Sequence, residues 1–209
     1  MDIPGIVVNH KRVHRFMQVM EIQALYPKPK ISTPDKQHEV YPYLLKGVTA
    51  GYPNHIWGTD ITYIRVKGTW MYLVAILDWF SRYVVSWELS DSLTGEFCRE
   101  ALRRALEIAI PEIHNSDQGA QFTAEEYLAI LKAFETIQIS MDSRGRAMDN
   151  IFTERLWRTV KYEEVYLKEY QSPRQARQSL TEYFTFYNHE RKHQSLQYET
   201  PEAVYFNRR

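Results

Sequence analysis

The sequence predicts an α/β domain built on a mixed five-stranded sheet flanked by helices, with a small helical segment in front of it. Three observations carry that prediction. Residues 56–66, 69–77 and 82–89 are rich in β-branched and aromatic residues and are joined by short turns, at Lys67-Gly68 and across 78–81; they read as an antiparallel meander. Residues 93–109 place Phe97, Ala101, Leu102, Ala105 and Ala109 at helical spacing, and Tyr127, Leu128, Ile130, Leu131 and Phe134 repeat that pattern after Thr123. Apolar runs at 110–113 and 137–141 supply two more short strands, reached through those helices as crossovers.

In chain order, residues 9–22 read as a helix with Asn9 as N-cap. Val13, Phe16, Met17 and Met20 form its apolar stripe, and Lys11, Arg12 and Arg15 lie off it. Such a basic face either touches a nucleic-acid backbone or is simply solvated. Residues 26–55 hold five prolines among Lys, Ser and Thr and read as an extended linker, in which 41–45 can clip onto the core. The sheet begins at Ile56. In its first strand Gly58, Asp60 and Thr62 share one face, and Trp57, Thr59, Ile61 and Tyr63 share the other. Thr123 is the expected cap of the second core helix, and residues 142–150 read as a loop with Asp149 or Asn150 capping a helix to about Leu167. Ser172-Pro173 opens a last helix that stacks Leu180, Tyr183, Phe184 and Tyr187. The expected organisation is therefore 1–25 helical, 26–55 linker, 56–170 core, and 171–209 a C-terminal helix and tail packed on it.

The 209 residues suffice for one sizeable core plus an appendage. Cys98 is the lone cysteine, so an intrachain disulfide and a cysteine-based zinc site are excluded, and a reducing compartment is expected. No apolar run approaches the ~18 residues of a membrane span, and residues 1–9 lack the shape of a signal peptide. A cytoplasmic location is the expectation. Net charge is zero, yet it is unevenly placed: +3 over 1–50, −5 over 51–140 and +2 over 141–209. An acidic middle between basic flanks suits a metal centre between phosphate-binding surfaces, although scatter gives the same totals.

Three acids stand out from the 26. Asp60 lies mid-strand, where a lone Asp is disfavoured. Asp117 lies just past a strand end, where the backbone turns at Gly119. Glu154 lies in the first turn of a helix beside Ile151, Trp157 and Arg158. A single acid is ordinarily a solvated surface residue, but a partly buried one needs a cation, and three such carboxylates make an oxygen-only site for hard divalent ions.

These residues carry a resemblance. The runs WGTDITYI (57–64), LVAILDWFSRYVVSW (73–87), NSDQGAQFT (115–123), SMDSRGRAMDNIFTERLWRTVKYEEVY (140–166), YNHERKH (187–193) and TPEAVY (200–205) resemble the bacterial insertion-sequence transposases of the retroviral-integrase superfamily. The nearest likeness is to the catalytic product of the group with two overlapping reading frames. The resemblance covers almost the whole chain. Two departures stand in it: 36 residues separate Asp117 from Glu154, one more than the group usually has, and Lys192 replaces the usual proline. The additional residue falls near 136–138.

The resemblance implies a ribonuclease-H-like integrase core and a catalytic, metal-binding triad of Asp60, Asp117 and Glu154. It implies two Mg²⁺ or Mn²⁺ ions, and cleavage and strand transfer at transposon ends into target DNA. It also implies a homo-oligomer on DNA and an upstream-frame DNA-binding product as partner. Arg158 and Lys161 follow Glu154 by four and seven residues on one helix face and are expected to hold phosphate beside the metals. Gln121, Arg144, Arg146, Lys11, Arg12 and Arg15 are further expected DNA contacts, and Gln118 and Gln121 equally suit shaping the turn. The stripe of the first helix lacks an upstream partner, so weak, salt-sensitive DNA binding is expected of these 209 residues alone. Two alternatives stay open at this point: a non-transposing, DNA-binding remnant, and a cellular ribonuclease-H-like nuclease.

Overall fold

The computed structural model describes residues 9–20, 40–142 and 150–207. The expected contacts Arg144 and Arg146, the end of the first predicted helix and residues 26–39 of the proline-rich stretch lie outside them. The chain divides into two compact units, Met1–Asp35 and Lys36–Arg209. In the first, α1 (His10–Val19) begins where Asn9 Oδ1 accepts the Lys11 N–H at 2.9 Å. Lys11, Arg12 and Arg15 are exposed on it, as are Val13, Phe16 and Met20 of the apolar stripe.

The second unit is a five-stranded sheet in the order β3-β2-β1-β4-β5. β1 (Ile56–Val66), β2 (Thr69–Asp78) and β3 (Val84–Ser90) form the antiparallel meander. Lys67 and Gly68 both take positive φ, at 40° and 81°, the tight turn that matches the twist of a hairpin. α2 (Glu96–Ile108) then crosses to β4 (Ile113–Ser116), which runs parallel to β1. The single turn α3 (Ala120–Thr123) and α4 (Glu125–Lys132) lead to β5 (Gln138–Met141), parallel to β4. α5 (Ile151–Glu163) ends in a 3₁₀ turn at Val165–Leu167, and α6 (Pro173–His189) and α7 (Pro201–Tyr205) complete the unit.

Alternation along the strands feeds two cores. One face buries Ile64, Val66, Leu73, Ala75 and Leu77 against Leu156, Trp157 and Val160 of α5 and Leu180, Tyr183 and Phe184 of α6. The other buries Trp57, Val74 and Ile76 against Phe97 and Leu102 of α2 and Leu128 and Leu131 of α4. Residues 41–45 do clip onto this unit: the Leu44 N–H reaches Ser140 Oγ at 3.1 Å, the Met141 N–H reaches the Pro42 carbonyl at 3.4 Å, and Leu45 is buried.

Three local expectations need correction. The fourth strand starts at Ile113 rather than 110, because Pro111 has no N–H to give a ladder and the pairing with β1 begins at Ile56–Ile113. Thr123 does not cap α4; its hydroxyl bonds back to the Gly119 carbonyl at 3.1 Å within α3, and Ala124 takes the cap position. The helix predicted to reach Leu167 stops at Glu163, because the buried Glu164 turns in to meet Tyr170 and Ser179 at 2.8 and 2.6 Å. Residues 136–138, where the additional residue is expected, cover the end of the turn after α4 and the first residue of β5.

Candidate active site

Asp60 sits in the middle of β1 on the face that α5 covers, half-buried. Its Oδ2 accepts the Trp157 indole N–H at 2.9 Å. Burial pushes its carboxyl up to about 6, and the like charges of Asp117 and Asp142 add to that, against hydrogen bonds from the Ile61 backbone and Trp157. No cation is among these causes. The site leaves Asp60 short of positive charge.

Asp117 is the first residue past β4, and Asp142 the first past β5. The parallel register pairs Gly58 with Asn115 and Ser116 with Met141. Continued outward, that register aligns Asp60, Asp117 and Asp142 in a row across three neighbouring strands. Asp117 Oδ1 accepts the Gly119 N–H at 2.8 Å, the local turn that aims this carboxylate, and burial raises its pKa. Asp142 Oδ1 accepts the Asn115 amide at 2.8 Å, and its carbonyl accepts the Gln118 amide at 2.9 Å. Asp142 was not singled out from the sequence. Its signal lay in the strand register, since a residue following β5 must neighbour the residue following β4.

Glu154 is exposed in the first turn of α5. Contacts to β1 flank it on both sides along the helix. Asn150 donates its side-chain amide to the Thr59 carbonyl at 3.4 Å, Trp157 holds Asp60, and Thr153 packs over Gly58. Gly58 is needed for that approach, since a Cβ there would overlap the Trp79 indole and lie 3.0 Å from Thr153 Oγ1. Glu154 itself makes no ion pair among the described residues. Nor do three His, Cys, Asp or Glu side chains among them form a ready-made metal cage.

The donor set still fits a hard divalent cation. Asp60 and Asp117 offer carboxylate oxygens that raise one another's cost of ionisation, which a dication would relieve. The neighbouring nitrogen and sulfur groups are otherwise engaged. His114 is buried against the Tyr127 hydroxyl at 3.0 Å with its pKa pushed down by burial to about 3, and burial pushes the Cys98 thiol up to about 12.

The expected DNA contacts are placed as follows. Arg158 is exposed, with its guanidinium 5.7 Å from the Tyr162 ring. Lys161 is half-buried, one turn of α5 beyond Trp157. Neither forms a salt bridge to Glu154. Gln121 donates to the Leu93 carbonyl at 2.9 Å, and Gln118 is tied to Asp142, so both shape the strand-end turn.

A mixed five-stranded sheet with helices on both faces, and carboxylates at the ends of neighbouring parallel strands, defines an integrase-type core of the ribonuclease-H-like class. Residues 51–147 and 135–201 each match an integrase core domain family. The chain is 30% identical over 211 residues to the transposase of insertion sequence IS904 from Lactococcus lactis, covering 94% of this chain and 80% of that protein. Among solved structures, it resembles the simian T-cell lymphotropic virus intasome (TM-score 0.65, 20% identity, 82% of this chain and 60% of that one). It also resembles the HTLV-2 integrase catalytic core solved with magnesium in a trimeric form (TM-score 0.61, 20% identity, 74% and 97%). The chain belongs to the bacterial insertion-sequence transposases.

Proposed function

We propose that this protein cuts and joins DNA at the ends of its insertion sequence, using Asp60, Asp117 and Glu154 to hold two Mg²⁺ or Mn²⁺ ions. The observation that carries this reading is the charge-deficient pair Asp60–Asp117, with the Glu154 helix tied directly to the Asp60 strand. The magnesium-bound HTLV-2 core supports the choice of metal.

When bound, such ions supply activation of a water or 3′-hydroxyl and stabilisation of the leaving 3′ oxygen. The chain does the rest. Trp157 fixes one oxygen of Asp60. The turn to Gly119 fixes Asp117 in the same way. Glu154, exposed and without an ion pair among the described residues, would be the third ligand. Arg158 and Lys161 present cations along the same helix for the phosphates flanking the scissile bond. Oligomerisation on DNA and an upstream-frame partner extend the same reading; the trimeric HTLV-2 core supports the former.

The test is a nicking and strand-transfer assay on duplex DNA from the flanks of this gene, with Mg²⁺, Mn²⁺, Ca²⁺ or EDTA. Cleavage in Mg²⁺ and Mn²⁺, with binding but no turnover in Ca²⁺, is expected, because Ca²⁺ takes more ligands at longer distances. Turnover in EDTA, or a preference for an RNA–DNA hybrid, would sink the reading.

A further inference from the structure

A groove of about 890 Å³ opens between the β1–β2 hairpin and the C-terminal end of α5. Its composition is unusual for a protein surface. Tyr63 from β1, Trp70 from β2 and Tyr166 after α5 line it and are 51%, 58% and 65% exposed. Exposed aromatics of this size, three in one groove, are not explained by folding. Tyr63 packs edge-to-face with Tyr72 at 5.3 Å, and Tyr166 with Tyr162 at 5.4 Å, and both rings remain more than half exposed.

The charges in the same groove are one-sided. Arg65, Lys67 and Lys161 line it, and none makes an ion pair among the described residues. Lys168 is the cation there that is spoken for, by Glu164 at 3.0 Å. Glu169 is the one acid in the lining. Exposed rings alternating with unpaired cations match unpaired nucleic acid, in which every base offers a stacking face and every step a phosphate. Duplex DNA would engage the cations but hides its base faces.

One wall of the groove, Lys161, lies on the helix that holds Asp60, while Tyr63 belongs to the opposite face of β1. Lys161 follows Trp157, the residue that holds Asp60, by one helical turn, about 6 Å along the axis. We propose that this groove receives an unpaired stretch of DNA strand, its bases stacked on Tyr63, Trp70 and Tyr166 and its phosphates on Arg65, Lys67 and Lys161. The assignment of DNA rests on the function proposed above; the stacking site itself rests on the groove.

The test is fluorescence anisotropy of labelled oligothymidylate with the full chain in EDTA, alongside a duplex and oligouridylate of equal length. Tyr63→Ala with Tyr166→Ala should lower oligothymidylate affinity by about tenfold or more, and duplex affinity far less. Tyr63→Phe with Tyr166→Phe, which keeps both rings, should restore it. Unchanged oligothymidylate binding by the alanine pair, or an equal loss for duplex, would overturn the proposal. Tighter binding of oligouridylate would overturn the choice of DNA. A peptide strand added to the side of β1 that β4 leaves open would be indifferent to the rings, and so gives the first of those negative results. Cleavage of end DNA in Mg²⁺ is scored separately. Cleavage with ring-independent strand binding removes the groove and leaves the activity; ring-dependent binding without cleavage does the reverse.

Discussion

Two sets of acids in the same unit, Glu163 and Glu88 on one hand and Asp60 and Asp117 on the other, are treated in opposite ways. At the tail, Glu163 receives Arg191 through two bonds, at 2.5 and 2.8 Å, and the Tyr183 hydroxyl at 3.0 Å. Arg191 holds the Glu163 carboxyl below its usual range. At the edge strand, Glu88 is gripped by Arg177 and Arg104 at 2.5 and 2.6 Å, and they hold it below its usual range even though burial pushes it up. At the strand ends, Asp60 and Asp117 are given no such partner, and both rise. The chain has cations to spare, so the omission is selective. A site proposed to hold a dication would not fill its own carboxylates with arginine. Glu163 has the other task, since Glu163–Arg191 fastens the YNHERKH segment to the C-terminal end of the Glu154 helix.

The sharpest way to break this contrast is to remove an acid from each region and compare. Asp60→Asn, Asp117→Asn or Glu154→Gln should lower end cleavage by about a thousandfold or more, roughly 4 kcal/mol of lost transition-state stabilisation, with the fold retained by circular dichroism. A variant that cleaves near the wild-type rate removes that residue from the site.

Gly58→Ala keeps all three acids and moves what lies between them. The added methyl must displace Trp79 or Thr153, so α5 shifts from β1. A stability loss of about 1–3 kcal/mol, the usual cost of overpacking, is expected. So is a fall in cleavage larger than the stability loss explains, read from activity well below the melting temperature. Wild-type cleavage would show that the close α5–β1 approach does not matter to the chemistry.

The two regions should also respond to pH with opposite signs. Asp60 holds its proton more tightly folded than unfolded, from a usual value of 3.8 to about 6. Its contribution to metal-free stability is therefore best below about pH 4 and is lost as pH rises through 6. Asp60→Asn should raise the stability of the metal-free protein above pH 7, by about 3 kcal/mol at most, and change little at pH 4. Glu163 and Glu88 have lowered pKa values, so their pairing stabilises above their unfolded values near 4.5 and fades as pH falls. Thermal melts across pH in EDTA check both, and equal pH slopes for Asp60→Asn and wild type would contradict the charge-deficient site. Added Mg²⁺ should stabilise wild type less below pH 6, where the proton competes for Asp60.

The smallest effect concerns the tail. Arg191→Ala should cost about 1 kcal/mol, because the pair is partly solvent-exposed and screened. It should also loosen α5, read as faster hydrogen exchange over 157–163. No change there would mean that the tail does not brace the helix.

Much of this is legible in the sequence. The Lys67-Gly68 turn, the meander and the Ser172 cap with Pro173 are local chemistry, and each formed where read, with the Gln175 N–H on Ser172 Oγ at 3.2 Å. The misses share one cause. Ile110 and Thr123 carry strand and cap propensity, but Pro111 and the parallel register overrode the first, and the strand-end turn overrode the second. Leu167 continued an apolar pattern that the buried Glu164 network interrupted.

The sequence by itself determined the α/β class, the five strands and the identity of three unusual acids. It could do so because strand alternation, turn residues and a carboxylate out of place are visible within a few neighbouring positions. Only the tertiary structure decided which charges meet. Asp60 and Trp157 are 97 positions apart, and Asn115 and Asp142 are 27 apart; their contacts exist because parallel register and the missing side chain of Gly58 bring β1, β4, β5 and α5 to one place. The open rings of Tyr63, Trp70 and Tyr166 belong to the same category, since aromatic residues look alike in sequence until packing buries some and leaves others exposed.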